Sequence, residues 1–499
     1  MRRFLSMVFT AVFALIAGIV TVPVEAQTPD QFVPEAKYYG VVGHFLKTPD
    51  FKDNWDPNWR LPVLMKQIKK AGIQRITFPI FSYDGERAGL IRLEKHSPQV
   101  AAGLKHRRDL IDQWLTLADQ EGLIVSLHVF AKTPRVPRYK EFNRHFTDWI
   151  AELIQRHPNI KTIQFHNEPN IKFFWRNSTP EEYVEVYREI AHKFKAVRPD
   201  IQMTVGAIAS LSWPKGRAWL RRAMDAGLLE FADAVSVHPY TKRKPPEDDP
   251  HFNSVPGDDL LDVEEAFINF NNEIQSRAPN GKKLGILLTE FGYSSSESGS
   301  HGVGSEKTQA DYLSRSILIY IDLNVRHNIP IEAVFWYDLK DDGTDPNHVQ
   351  HNFGLLSYDL TREKDAYRTY AAIIKAIPDV SKLEPASLNV SLSNTSGIKH
   401  VNIKQWLQTD DSTYIVAFWN GHHKAEDRMM NLLLDHPCDV VPAPITYVQL
   451  GMQETVPAFK TIEKNGTCQS QVPVALSIRA SLIKFRLKSN AATNASVQQ

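Results

Sequence analysis

The stretch Ile160-Lys161-Thr162-Ile163-Gln164-Phe165-His166-Asn167-Glu168-Pro169-Asn170 is a short, largely apolar run that stops on a cluster of polar side chains. A run of this length and texture is expected of a parallel strand covered on both faces. Seven more runs of the same kind flank it: Tyr38–Leu46, Ile73–Ile80, Leu123–Phe130, Ile201–Ile208, Ala232–Tyr240, Leu284–Phe291 and Ile331–Tyr337. Together with Ile160–His166 they make eight, and longer stretches of helical periodicity separate them. The helices have readable starts. Asp56-Pro57 and Thr179-Pro180-Glu181-Glu182 each put an N-cap acceptor before a proline, and early acidic residues suit the helix dipole. Ser305-Glu306 opens a helix to about His327, and a last helix runs from about Lys364 to Ala376. Eight β–α units in unbroken series predict a closed (β/α)8 TIM barrel over residues 27–380, with a doubly wound open sheet as the alternative.

After Pro378 the texture changes. Leu388–Leu392, Ile403–Gln408, Thr413–Trp419, Arg428–Leu434, Ile445–Leu450 and Leu482–Leu487 read as short strands separated by turn residues. They predict an antiparallel β-sandwich over residues 381–488, followed by a small, polar tail at 489–499 that is expected to be disordered. The two cysteines, Cys438 and Cys468, both fall in this region. An oxidising compartment would join them in a disulfide, and a reducing one would leave two buried thiols.

The N-terminus bears on that choice. Arg2 and Arg3 precede an almost wholly apolar stretch, Phe4 to Val22, and Val24-Glu25-Ala26 has the small–x–small pattern of a signal-peptidase site. Residues 1–26 thus read as a signal peptide and the mature chain as secreted or periplasmic. An uncleaved anchor is the other reading of a stretch that approaches the ~20 residues needed to span a bilayer. No second long apolar segment follows, so no stable membrane insertion is expected once the signal is removed. Lys and Arg total 58 against 57 for Asp and Glu, a balance that gives no electrostatic reason to expect a nucleic acid partner.

In a barrel of this kind the loops after the strands' C-terminal ends build the site. The fourth run ends in Asn167-Glu168-Pro169 and the seventh in Leu288-Thr289-Glu290-Phe291-Gly292. Two Glu residues at strand ends across a barrel are what glycosidic cleavage requires. One carboxylic acid protonates the leaving oxygen while the other carboxylate attacks, or activates water, across the sugar ring. A lone Glu-Pro would be an ordinary loop residue; the pair is far more specific. These motifs resemble glycoside hydrolase clan A, and the resemblance covers most of Lys37 to Pro378. It implies a retaining glycosidase acting on β-linked oligo- or polysaccharide, with Glu168 as acid/base, Glu290 as nucleophile and Asn167 bonding the sugar 2-hydroxyl. His238 and Tyr240 match clan positions that contact the nucleophile and the substrate. Trp336 matches the tryptophan that floors an apolar sugar face. His128 and His44 complete a polar ring, though each lone histidine could equally be a hydrogen-bonded structural residue.

One departure stands out. Clan members usually carry an arginine two residues before a proline on strand two, and here Thr77 holds that place in Arg75-Ile76-Thr77-Phe78-Pro79. Arg75 has the same strand parity one layer deeper. The barrel followed by a sandwich is similar to family 39, on the loose motifs Tyr414–Asn420 and Phe353-Gly354-Leu355-Leu356; family 5 shares the Asn-Glu-Pro and His-x-Tyr features.

Nothing in this chemistry calls for a cofactor or a metal. A metal-dependent barrel would draw on His44, His128, His166 and His238, but strand one carries no His-x-His pair. A non-catalytic carbohydrate-binding barrel would typically have lost one of the two Glu residues. Phe173, Phe174, Trp175, Trp213 and Tyr293 are candidates for sugar stacking or for packing, and the loops Thr241–Gly257 and Ser294–Gly304 are candidates for the cleft walls.

Overall fold

The computed structural model describes residues 37–43, 57–81, 98–211, 213–248, 262–395, 398, 400–422, 426–464 and 466–489. The expected signal peptide, His44, Asp56 and the tail beyond Ser489 lie outside these residues.

Eight parallel strands close a barrel in chain order: β1 (Tyr39–Val42), β2 (Arg75–Phe81), β3 (Ile124–Phe130), β4 (Ile160–Phe165), β5 (Gln202–Ala209), β6 (Ala234–His238), β7 (Gly285–Phe291) and β8 (Ile331–Trp336). Helices α1 (Pro57–Ala71), α2 (Pro98–Gln120), α3 (Tyr139–Arg156), α4 (Lys172–Trp175), α5 (Pro180–Val197), α6 (Pro214–Asp225), α7 (Val263–Arg277), α8 (Glu306–His327) and α9 (Asp365–Ala376) lie between and after the strands. The open sheet is therefore excluded. Thr179 caps α5 through its side chain, and Glu182 returns the bond to the Thr179 N–H, the reciprocal pattern that closes both free donors. Ser305 caps α8 through its side chain alone, accepting from the Thr308 N–H.

The second layer system is antiparallel and richer than expected. One sheet has the order β10-β13-β16-β15, built from β10 (Asn389–Leu392), β13 (Arg428–His436), β15 (Lys460–Lys464) and β16 (Thr467–Leu476). The other has the order β14-β17-β12-β11-β9, built from β9 (Leu383–Pro385), β11 (Val401–Gln408), β12 (Thr413–Asn420), β14 (Val440–Gln449) and β17 (Ser481–Ser489). Three of these strands, β9, β15 and β16, were not among the sequence expectations. Strand β16 buries alternate residues (Cys468, Ser470, Val472, Val474, Leu476), but Pro473 and its glutamines mask that alternation in the sequence.

Strand β12 explains how the two halves join. Val416 and Phe418 face the sandwich core with Leu432, Leu434, Val472 and Phe485. Ile415, Ala417 and Trp419 face the other way and belong to the large core of the barrel. Both faces of β12 are covered, which accounts for its unbroken apolar run. Helix α8 lies at the junction and is buried on nearly every side. Its polar residues are paired: Asp311 with Arg479, and Asp322 with Lys404 and the Trp406 indole. Cys438 and Cys468 are joined in a disulfide near the end of the β13–β16 pair.

Candidate active site

The chain turns sharply where β4 ends. His166 (φ 65°) and Glu168 (φ 38°) both take left-handed backbone conformations, which cost a non-glycine residue about 1 kcal/mol or more each. The Glu168 N–H donates to the Ala207 carbonyl at 2.9 Å. That carbonyl is available because β5 bulges between Gly206 and Ile208. Gly206 itself has φ 90°, and a Cβ there would sit 3.1 Å from the Ser236 carbonyl oxygen, so only glycine suits the bulge. Asn170 then pins the loop, accepting from the Ala209 N–H at 3.0 Å and donating to its carbonyl at 3.3 Å.

These turns bring Glu168 over the end of β6. The His238 Nδ1 lies 3.0 Å from Glu168 Oε1 and 3.6 Å from Glu290 Oε2. The two distances together cap the separation of these oxygens at about 6.6 Å. The imidazole is wholly buried, whereas the Glu168 and Glu290 side chains keep 15% and 14% of their surface open. A reactant can therefore reach the carboxylates but not the histidine behind them. Burial pushes the His238 pKa down, and the Glu290 and Glu168 carboxylates outweigh it, leaving it above its ordinary value. Its Nε2 lies 3.1 Å from Thr289 Oγ1, and Thr289 continues through the Ser236 hydroxyl to Gln164. Strands β4, β6 and β7 are thus tied together through the barrel interior. The Tyr240 hydroxyl donates to Glu290 Oε2 at 3.3 Å. Burial and the Glu290 charge raise the phenol well above its usual pKa, so it remains a neutral donor.

Of the residues singled out in the sequence, Glu168, Glu290, His238 and Tyr240 meet directly. Asn167 adjoins them, and its side-chain Oδ1 is buried without a hydrogen-bond partner among the described residues. His128 is buried on β3 beside Gln164, 3.5 Å from its amide. Arg75 begins β2 at the far end of the barrel, its Nε donating to the Lys37 carbonyl at 2.5 Å. Glu290 sits at the opposite, C-terminal end of its strand.

Trp336 needs correcting. It is wholly buried, its indole N–H donates to the Phe353 carbonyl at 3.2 Å, and Phe291 packs edge-on at 5.4 Å. No face is open for a sugar. The cause is a bulge between Ile331 and Ala333. Glu332 meets Gln202 of β5 across the barrel, but after the bulge Ala333, Phe335 and Tyr337 share one interior cluster with Val42 and Leu287. The inward parity passes to Tyr337. Burial and then nearby carboxylates, Glu290 and Glu168 among them, raise the Tyr337 phenol well above its usual value, which marks it as a neighbour of the pair. Sequence reading also missed His301, whose ring packs edge-on to Tyr240 at 5.2 Å and feels the Glu168 charge. Its loop was noted; its reach over the carboxylates depends on the fold.

Among the described residues one group, Glu264, Asp322 and His327, has the spacing of a metal site. It lies away from the mouth, and the Lys404 ammonium fills it.

No family model and no curated protein matches the chain. Solved structures do. A family 39 glycoside hydrolase from the gut symbiont Bacteroides cellulosilyticus WH2 aligns with a TM-score of 0.64 at 19% identity, over 90% of this chain and 81% of the other. The GH39 enzyme from Xanthomonas axonopodis pv. citri aligns at 0.52 and 14% identity, over 91% and 95% of the two chains. AbfB, a family 51 α-L-arabinofuranosidase from Bifidobacterium longum, aligns at 0.51 and 12% identity, over 85% and 90%. The chain has the fold of these glycoside hydrolases, the barrel architecture of the clan that its two Glu motifs resemble.

Proposed function

We propose that this protein is a retaining glycoside hydrolase that cleaves β-linked oligo- or polysaccharide by double displacement. The observation that carries the reading is the convergence of Glu168 and Glu290 on one buried imidazole, with their nearest oxygens no more than about 6.6 Å apart. Retaining enzymes hold their carboxyls ~5–5.5 Å apart, and inverting ones need ~6.5–9.5 Å to admit a water.

In the first step Glu290 attacks the anomeric carbon while Glu168 gives its proton to the departing oxygen. In the second, Glu168 takes a proton from water, which displaces Glu290 and restores the original configuration. Tyr240 steadies the nucleophile through its hydroxyl. The free Asn167 Oδ1 is suited to accept a bond from a sugar hydroxyl, since a buried acceptor left unpaired costs stability. The leaving group departs on the Glu168 side, and on α4, the next element of the chain, Phe173 is 81% exposed with Phe174 edge-on at 5.1 Å. Of the other candidates, Trp175 and Tyr293 are buried in packing and Trp213 is half-buried. An open phenyl face on the short helix that follows the acid in the chain favours a substrate with further sugar beyond the scissile bond. The disulfide favours an exported protein.

The test is stereochemical. NMR of the first-formed product from an aryl β-glycoside should show retained configuration. Glu290→Ala should lose at least about 10⁴-fold in kcat, and azide should rescue it with inverted configuration. Glu168→Ala with the activated substrate and azide should give retention. Inversion by the wild type would overturn the mechanism, and azide products the other way round would exchange the two roles.

A further inference from the structure

We propose that the sandwich takes part in building the catalytic mouth: Glu247, clamped between Arg315 of α8 and Trp419 of β12, fixes the loop that holds Tyr240 on Glu290. Its catalytic consequence rests on the glycosidase reading; the clamp itself does not.

The Glu247 carboxylate receives donors from both halves of the molecule. Arg315 Nε donates to its Oε1 at 2.9 Å, Arg315 Nη2 bonds its Oε2, and the Trp419 indole N–H donates to Oε1 at 2.6 Å. Arg315 Nη2 also donates to the Gly421 carbonyl at 2.9 Å, so one guanidinium grips the barrel loop and the sandwich together. The Arg315 side chain is wholly buried, and Glu247 keeps 21% of its surface.

From Glu247 the chain runs back seven residues to Tyr240, and the segment is braced along its length. The Thr241 hydroxyl donates to the Lys244 carbonyl at 2.9 Å and lies 2.6 Å from the Tyr293 hydroxyl. Tyr293 packs edge-on to Tyr312 at 5.0 Å, and the Arg315 guanidinium sits 5.2 Å above the Tyr312 ring. Bonds and ring contacts therefore form a closed circuit: Glu247, Arg315, Tyr312, Tyr293, Thr241 and back along the loop. Arg243 adds a tie to the next loop, donating to the Gly299 carbonyl at 2.7 Å and the Glu297 carbonyl at 3.0 Å. That second loop carries His301 against Tyr240.

Stability alone is a weak reason for such an arrangement. A buried ion pair rarely outperforms well-packed apolar residues, because desolvating both charges offsets their attraction. What it provides is directional constraint, with three donors on one carboxylate. The Tyr240 hydroxyl sits at 3.3 Å from Glu290, the long end of a useful bond, so a small slackening of the loop would release it.

Trp419→Phe removes the indole N–H together with the five-membered ring and keeps a phenyl ring in its place, whereas Glu247→Ala would strand a buried guanidinium and risk misfolding. On an activated aryl glycoside, Trp419→Phe should lower kcat about tenfold with KM within about twofold, because a displaced hydroxyl harms the reaction more than binding. In a Tyr240→Phe background the same change should have no further effect. Hydrogen exchange read by mass spectrometry should show faster exchange in peptides spanning residues 240–248 of Trp419→Phe. Unchanged exchange there overturns the clamp, whether or not the wild type turns over any glycoside. A kcat loss that simply adds to that of Tyr240→Phe overturns the route through Tyr240. An inactive wild type with faster exchange in the variant would count against the glycosidase reading and leave the clamp standing.

Discussion

The barrel mouth and the sandwich core obey different rules. In the sandwich, β13 and β16 pair over nine residues without a break in register, and the interior is apolar, with Leu432, Leu434, Val472 and Phe485 at its centre. At the mouth, β5–β6 and β7–β8 both slip register. His166, Glu168 and Ala207 stand in left-handed conformations within a few residues of one another in space. Charges and polar side chains are enclosed there. The sandwich is built where every local preference agrees with the fold, and the mouth where several are overruled. Strain of this kind persists only where the surrounding structure enforces it. Here the enforcing parts are identifiable: the Ala207 carbonyl, the Asn170 amide and the hydrogen-bonded line from Gln164 to His238.

If the comparison is right, small changes at the mouth should affect chemistry far more than folding. Tyr240→Phe removes one hydroxyl and leaves the ring against His301 and Phe353. We expect kcat to fall by roughly 10²–10³-fold, the scale set by losing one well-placed donor to a developing or reacting charge. The thermal midpoint should move little. Steady-state kinetics and calorimetry on the same sample decide the matter, and a variant as active as the wild type would remove Tyr240 from the machinery.

The reverse should hold in the sandwich. Replacing Cys438 and Cys468 together by serine opens a cross-link between positions 30 residues apart. The chain-entropy account assigns such a link about 3–4 kcal/mol of stability. Denaturant melts should show that loss while kcat and KM stay as they were, since neither cysteine approaches the carboxylates. A parallel loss of kcat in fully folded protein would blur the contrast between the two regions.

The same contrast explains what could be read from sequence. The barrel strands were legible because burial on both faces leaves an apolar run with nothing to disguise it. Glu168 and Glu290 were legible because they stand at the ends of such runs. Trp336 was matched to the clan's tryptophan by resemblance, but the bulge at Glu332, which shows only in pairing with β7, hands the inward place to Tyr337. The strand β4 was expected to include His166, but a left-handed φ ends it one residue earlier. Trp419 and Glu247 lie in segments the sequence singled out, but nothing local pointed to their meeting with each other or with Arg315. They lie 68 and 172 residues apart from partner to partner; the folded barrel unites the first pair, and the docking of the sandwich adds Trp419.

The smallest expected effect concerns two buried histidines of the mouth with opposite behaviour. His166 lies among the rings of Phe130, Phe165 and Trp175, with Nε2 3.2 Å from the Ala131 carbonyl. Burial lowers its pKa to about 4, and the backbone bond only partly offsets this. An unfolded histidine titrates near ~6.5. Between those values the unfolded chain holds the extra proton, so His166 makes the protein less stable as pH falls through that window and has no effect above it. His238 is raised instead, because the carboxylates outweigh its burial. Its contribution is complete below its unfolded value and fades as pH rises through the folded one. Asp341, lifted to about 6 by burial against the pull of Lys364, also loses stability as pH rises in the lower window. Raw melting curves therefore mix opposing slopes, and the difference between variant and wild type is the quantity to follow. His166→Gln keeps an N–H for Ala131 and removes the titration. Its thermal midpoint relative to wild type should rise steadily from pH 6.5 toward pH 4, by up to about 3 kcal/mol in equivalent stability. Two curves that run parallel through that window would show that His166 takes up its proton in the fold as readily as in the unfolded chain.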